Sequence, residues 1–192
     1  MSNSSLEQIF LILAPILSAF IVFIQYVIIL LYSNKFVAVN NMIQWAALGM
    51  YFKTASWAIA FILLAKGESK VFFWNELIAE TYLLGFNILG YKLAGLNGLG
   101  ISFLAGYVVY LGQIYFLAKF KYAFFIQRDF FRLFSIQLLF GLVCFIIIRY
   151  VPAPWSYVPG GLMIACSTAL SLIELDKRLG LKAIWTNIKN RF

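Results

Sequence analysis

Apolar residues run along this chain in long blocks, and the polar residues that separate them are few. Six blocks reach the roughly 20 residues that an α-helix needs to cross a hydrocarbon core about 30 Å thick. They are residues 9–32, 41–65, 71–91, 96–118, 131–150 and 157–175. The breaks between them are short: Ser33-Asn34-Lys35, Lys66-Gly67-Glu68-Ser69-Lys70, Lys92 with the glycine-rich turn after it, residues 119–130, and Val151-Pro152-Ala153-Pro154. None is long enough to separate two folded domains, and no internal repeat stands out. The pattern predicts an all-α fold, a polytopic membrane bundle of about six transmembrane helices over residues 1–176. A basic amphipathic tail follows over 177–192, where Leu181, Ile184, Trp185, Ile188 and Phe192 recur at helical spacing away from Lys182, Lys189 and Arg191. That arrangement suits a helix lying on an anionic leaflet.

Composition supports the same picture. The chain is 64% hydrophobic and 11% charged, whereas a soluble domain is about half apolar and a quarter charged. The net charge of +8 raises the question of nucleic acid, and the placement of the charges answers it. With six spans, Lys66, Lys70, Lys119, Lys121, Arg128, Arg132, Lys177, Arg178, Lys182, Lys189 and Arg191 fall on the side that holds both termini. Only Lys35, Lys92 and Arg149 fall on the other. Lysine and arginine accumulate on cytoplasmic loops, so both termini are expected in the cytoplasm and no nucleic-acid partner is expected. The first apolar run is too long for a signal-peptide core, so no cleavable leader is expected.

The chemistry available is narrow. There is no histidine, which removes the commonest general base and metal ligand. Cys144 and Cys166 sit inside apolar runs without metal-ligand spacing. No enzyme active site, no metal site and no cofactor is expected. What remains are charges inside predicted spans, which cost about 2.5–3.5 kcal/mol each on insertion scales and are functional candidates by default. These are Lys53, Glu76 and Glu80. At about 1.5 Å per residue, Lys53 lies roughly 18 Å and Glu80 roughly 14 Å from the cytoplasmic ends of their helices. Lys53 is therefore expected to face Glu80 or a polar cavity, with Glu76 one turn away on the same helix face. The glycine-rich stretch Gly95-Leu96-Asn97-Gly98-Leu99-Gly100 lacks the strand and the Lys-Ser/Thr ending of a phosphate loop. Ala94, Gly98, Ser102 and Gly106 instead form a small-residue stripe where another helix can approach closely. Pro15 marks an expected bend in the first span.

Four stretches carry a resemblance. They are Leu31-Tyr32-Ser33 with Phe36, then Gly49 through Ser56-Trp57 to Leu64-Ala65-Lys66-Gly67, then Glu76, and finally Gly95-Leu96-Asn97-Gly98-Leu99-Gly100-Ile101-Ser102-Phe103 with Tyr107 and Tyr110. Over most of residues 10–150 the chain resembles bacterial polysaccharide flippases, the O-antigen translocases of the multidrug/oligosaccharidyl-lipid/polysaccharide exporter superfamily. The resemblance implies the bacterial inner membrane, a lipid-linked oligosaccharide (undecaprenyl-pyrophosphate glycan) as substrate, and a cationic cavity to which Lys53 would contribute, with Glu76 and Glu80. It also implies alternating access between two lobes. Such proteins have about twelve to fourteen spans, so this chain reads as the C-terminal part, with a missing N-terminal lobe as an expected partner. A non-transporting membrane subunit of a polysaccharide synthesis complex and a drug or ion antiporter fragment stand as alternatives.

Overall fold

The computed structural model describes residues 3–31, 38–122 and 128–179. They form α1 (Asn3–Leu31), α2 (Asn40–Ala65), α3 (Ser69–Tyr122), α4 (Arg128–Tyr150) and α5 (Tyr157–Leu179). No strand occurs among the described residues. Ser33, Asn34, Lys35 and Phe36, and the predicted tail from residue 180 onward, lie outside the described residues. Lys177 and Arg178, assigned to the tail by sequence, instead continue α5. Among the described residues, four segments are long and apolar enough to cross a membrane: Glu7–Leu30, Ser69–Lys121, Arg128–Tyr150 and Tyr157–Arg178.

Two features depart from a simple six-span reading. First, α2 is not among those four segments, and Asn40, Asn41, Gln44, Lys53, Thr54 and Ser56 interrupt its apolar residues. Second, the stretches 71–91 and 96–118 belong to one element. It folds back on itself where Ala94 (φ −143°, ψ 22°) and Gly95 (φ 58°, ψ −137°) leave helical geometry. Glycine takes the positive φ at Gly95 without the steric penalty of a Cβ. Two arms result, 69–93 and 96–122, which run antiparallel.

The small residues predicted as a contact stripe make this hairpin tight. A Cβ on Gly98 would overlap the Gly90 carbonyl, 2.7 Å from its carbon. One on Gly106 would run into Leu83. Between them Ser102 Oγ donates to Asn87 Oδ1 at 2.9 Å. Further down, Gln113 meets Asn75 and Lys121 meets Glu68. At that end α2 finishes with Gly67 at φ 77°, where Gly67 N–H bonds Leu64 O (3.0 Å) and Glu68 N–H bonds Leu63 O (3.1 Å). This is a Schellman-type stop that satisfies carbonyls orphaned at a helix end.

The helices alternate in direction. Gly100 abuts Met42 and Trp45, and Gly49 abuts Phe103 and Leu104, so α2 runs parallel to the second arm of α3. Phe52 and Trp45 meet Phe134 and Phe145, so α2 runs antiparallel to α4. Glu7 pairs with Arg178 while Val22 meets Gly160, so α1 and α5 are antiparallel. Two packed groups result. The α3 hairpin packs on α2 around Ile59, Leu63, Ala79, Leu83, Tyr110 and Ile114. The helices α1, α4 and α5 pack on one another, and α1 and α4 meet α2 around Phe10, Tyr51, Phe134 and Phe145. Thus α2 is the wedge shared by both groups, and Ala47, Leu48, Tyr51, Ala55, Ile59 and Leu63 bury on more than one of its sides.

Candidate functional site

Lys53 stands at the middle of α2, thirteen residues after Asn40 and twelve before Ala65. Its ammonium is held by three aromatic rings. Trp57, one turn on along the same helix, and Tyr107 each place their centroid 5.0 Å from Nζ, and Phe103 places its centroid at 5.8 Å. Phe103 and Tyr107 are themselves one turn apart on the second arm of α3, their centroids 4.7 Å apart. Gly49 lets that arm come close, since a Cβ there would sit 2.7 Å from Phe103 Cδ1 and 3.1 Å from Leu104 Cα. A desolvated cation–π contact contributes about 0.5–2 kcal/mol. Three together are comparable to the roughly 2.5–3.5 kcal/mol that a central lysine costs on insertion scales. The cage can hold a charged lysine without a carboxylate beside it.

The expected Lys53–Glu80 pairing is absent: among the described residues no ion pair joins them. Glu80 is exposed on the outer face of the first arm. Axial depth read from sequence puts the two residues at similar heights. Rotation about the helix axis puts Glu80 on the outer surface and turns Lys53 toward the second arm.

Of the two glutamates on that arm, Glu76, half-buried, is the one turned toward the interior. Tyr110 donates its hydroxyl to Glu76 Oε1 in a short hydrogen bond. Asn75 Nδ2 reaches the same oxygen at 3.4 Å, and Gln113 Nε2 bonds Asn75 Oδ1 at 2.8 Å. The Tyr107 ring meets Tyr110 edge to face at 6.2 Å, so the lysine cage and the Glu76 cluster are contiguous. Beside them the Tyr82 hydroxyl is buried with no hydrogen-bond partner among the described residues. A cavity of 160 Å³ lined by Trp57, Ala60, Phe61, Phe72 and Glu76 opens next to the cage. A larger cleft of 590 Å³ separates the second arm of α3 from α4. Gly112, Tyr115, Phe131 and Phe134 wall it, and Arg128 stands at its rim.

Sequence reasoning singled out Lys53, Glu76 and Glu80 as site residues; it named Trp57, Phe103, Tyr107 and Tyr110 only for their resemblance, and not as neighbours of those charges, and it missed Asn75 and Gln113. It also missed three polar contacts that join helices elsewhere. Tyr51 OH donates to Ala14 O at 3.0 Å and meets Ser18 Oγ at 2.7 Å, with Gly141 leaving room for its ring. Gln137 accepts from Ser167 Oγ at 2.6 Å and donates to Ser171 Oγ at 2.8 Å. Glu7, buried, pairs with Arg178. The available signal was the presence of Gln137, Ser167 and Ser171 inside apolar runs, where polar side chains act as interhelical contacts.

No family model matches this chain, and neither a curated protein nor a solved structure does.

Proposed function

We propose that the chain is a six-span membrane bundle forming the C-terminal portion of a flippase. Its substrate is a lipid-linked oligosaccharide, an undecaprenyl-pyrophosphate glycan, moved across the bacterial inner membrane for polysaccharide or O-antigen biosynthesis. The observation that carries the reading is the cation of Lys53, held at mid-height by three rings and contiguous with Glu76. A fixed positive charge at that depth attracts a pyrophosphate, and the neighbouring carboxylate and amides offer acceptors and donors to sugar hydroxyls. Each arm of α3, at about 1.5 Å per residue, is long enough to cross a core about 30 Å thick. With α2 held between its neighbours, that makes six spans. The end of the bundle carrying Lys66, Lys70, Lys119, Lys121, Arg128, Arg132, Lys177 and Arg178 faces the cytoplasm, by the excess of basic residues there over Lys92 and Arg149 at the other. A second lobe supplies the opposite wall of the cavity.

The test is binding of a lipid pyrophosphate-linked oligosaccharide to the full chain in nanodiscs. Lys53→Leu should weaken it at least about tenfold, the effect of losing about 1.4 kcal/mol, while Lys53→Arg retains it. A phosphate-free glycolipid should bind equally weakly to all three. Equal affinity of the wild type and Lys53→Leu for the pyrophosphate lipid sinks the proposal. The polar cluster of Glu76, Tyr110, Asn75 and Gln113 favours a second reading, a proton-coupled drug or ion antiporter fragment. That reading predicts proton-dependent export indifferent to any lipid-linked sugar.

A further inference from the structure

Of the five described glutamates, four have a partner: Glu7 has Arg178, Glu68 has Lys121, Glu76 has Tyr110 and Glu174 has Lys177. Glu80 has neither a hydrogen bond nor an ion pair among the described residues, and it is exposed. It stands at the middle of its arm, eleven residues from Ser69 and thirteen from Leu93. Phe73, Leu77 and Leu84 flank it at the three- and four-residue spacing of one helix face, and all three are exposed. Trp57 and Phe61 of α2, also exposed, continue the apolar surface on the side of the small cavity. In a bilayer this is a carboxylate facing hydrocarbon at mid-height, with no route for its charge to the headgroups. Intramembrane carboxylates face a bundle interior and pair with another group. Lipid tails offer no donor.

We propose that the surface centred on Glu80 is an intramembrane docking face, and that its occupant is a transmembrane helix presenting a lysine or arginine at mid-height. The charge complementarity fixes the chemistry of the partner, and the ring of large apolar side chains around Glu80 provides the packing that excludes water from the pair. The inference rests on the chain being embedded in a membrane and not on the identity of any substrate.

The test uses the full chain with an N-terminal donor fluorophore in liposomes. Acceptor-labelled poly-leucine transmembrane peptides carry a single central lysine, a single central glutamate, or leucine alone. Energy transfer measures association. The lysine peptide should associate at least about fivefold more tightly than the leucine peptide, the gain of one interhelical polar contact. Glu80→Gln should abolish that preference. Glu80→Lys should reverse it, so that the glutamate peptide becomes the tighter partner, which a merely misfolded variant could not do. Equal association of the lysine and leucine peptides with the wild type overturns the proposal. So does a Glu80-dependent association of two copies of this chain with no peptide preference, since the occupant is then a second copy. No glycan is present, so this result is independent of the binding test for the pyrophosphate lipid.

Discussion

Replacing Gly98 by alanine should pry the α3 hairpin apart. The new methyl carbon would lie 2.7 Å from the Gly90 carbonyl carbon and 3.1 Å from Ala94 Cβ, and would overlap the Gly90 oxygen. Two of these three atoms are not the tips of flexible side chains but backbone, so the strain cannot be relieved by a rotamer change. The arms would have to part by roughly 1 Å before carbon contacts return to their usual separation. Overpacking of this kind costs about 1–3 kcal/mol. The same movement would break the 2.9 Å bond from Ser102 to Asn87, an interhelical contact of about 0.6 kcal/mol. The expected loss is therefore roughly 1.6–3.6 kcal/mol. Gly112 provides the matched control. It lies on the same arm, yet a Cβ there meets nothing within 4 Å. Alanine at that position should stabilise by about 0.5–1 kcal/mol through helix propensity alone. Reversible unfolding in mixed micelles, titrated with sodium dodecyl sulfate, measures both variants. A disulfide between Asn87→Cys and Ser102→Cys gives a geometric readout, and its formation should slow in the Gly98→Ala background. If Gly98→Ala and Gly112→Ala unfold at the same detergent fraction, the close approach of the two arms does not hold.

Three further outcomes follow from buried polar contacts. Glu7→Gln or Arg178→Gln alone should cost about 3 kcal/mol or more by orphaning a buried charge, while the double variant should recover much of that loss. The same unfolding titration, read as a double-mutant cycle, checks it. Gln137→Leu should cost about 1–2 kcal/mol, because the Ser167 and Ser171 hydroxyls lose their partner. Adding Ser167→Ala and Ser171→Ala should bring stability back toward the wild type, as measured by thermal unfolding in detergent. Gly141→Ala places a Cβ 2.8 Å from the Tyr51 ring and hydroxyl. It should displace Tyr51 from Ser18 at a cost of about 1–3 kcal/mol, seen as a lower unfolding temperature that Tyr51→Phe does not reproduce in full.

The helical segments were legible because apolar runs and polar breaks report length directly. The stretch at 41–65 returns as Asn40–Ala65, and 157–175 as the greater part of Tyr157–Leu179. The bend at Gly95 and the stripe of Gly98, Ser102 and Gly106 were also legible, since small residues at four-residue spacing mark close approach whatever the partner. What the sequence could not say is that the partner is the preceding arm of the same hairpin. Lys53 shows where the reasoning stops. Position along a helix gives depth, and depth set Lys53 against Glu80 or a polar cavity. Which side of the helix faces which neighbour depends on packing, and packing gave Lys53 three rings from two helices. The contacts of Glu7 with Arg178 and of Gln137 with Ser167 were illegible for the same reason, because each spans helices far apart in the chain.

The division of the lysine cage between α2 and α3 sets an order of events for a chain made on a ribosome at a membrane. Trp57 emerges with Lys53, but Phe103 and Tyr107 are synthesised fifty or more residues later. At about 5–20 residues per second, that delay is roughly three to ten seconds. During it Lys53 carries its charge at the middle of α2 with Trp57 as a single ring for company. The cation–π contacts that offset the burial of that charge are complete only once the hairpin has formed. A chain cut short before Phe103 lacks two of the three rings of the cage and leaves Lys53 with Trp57 alone.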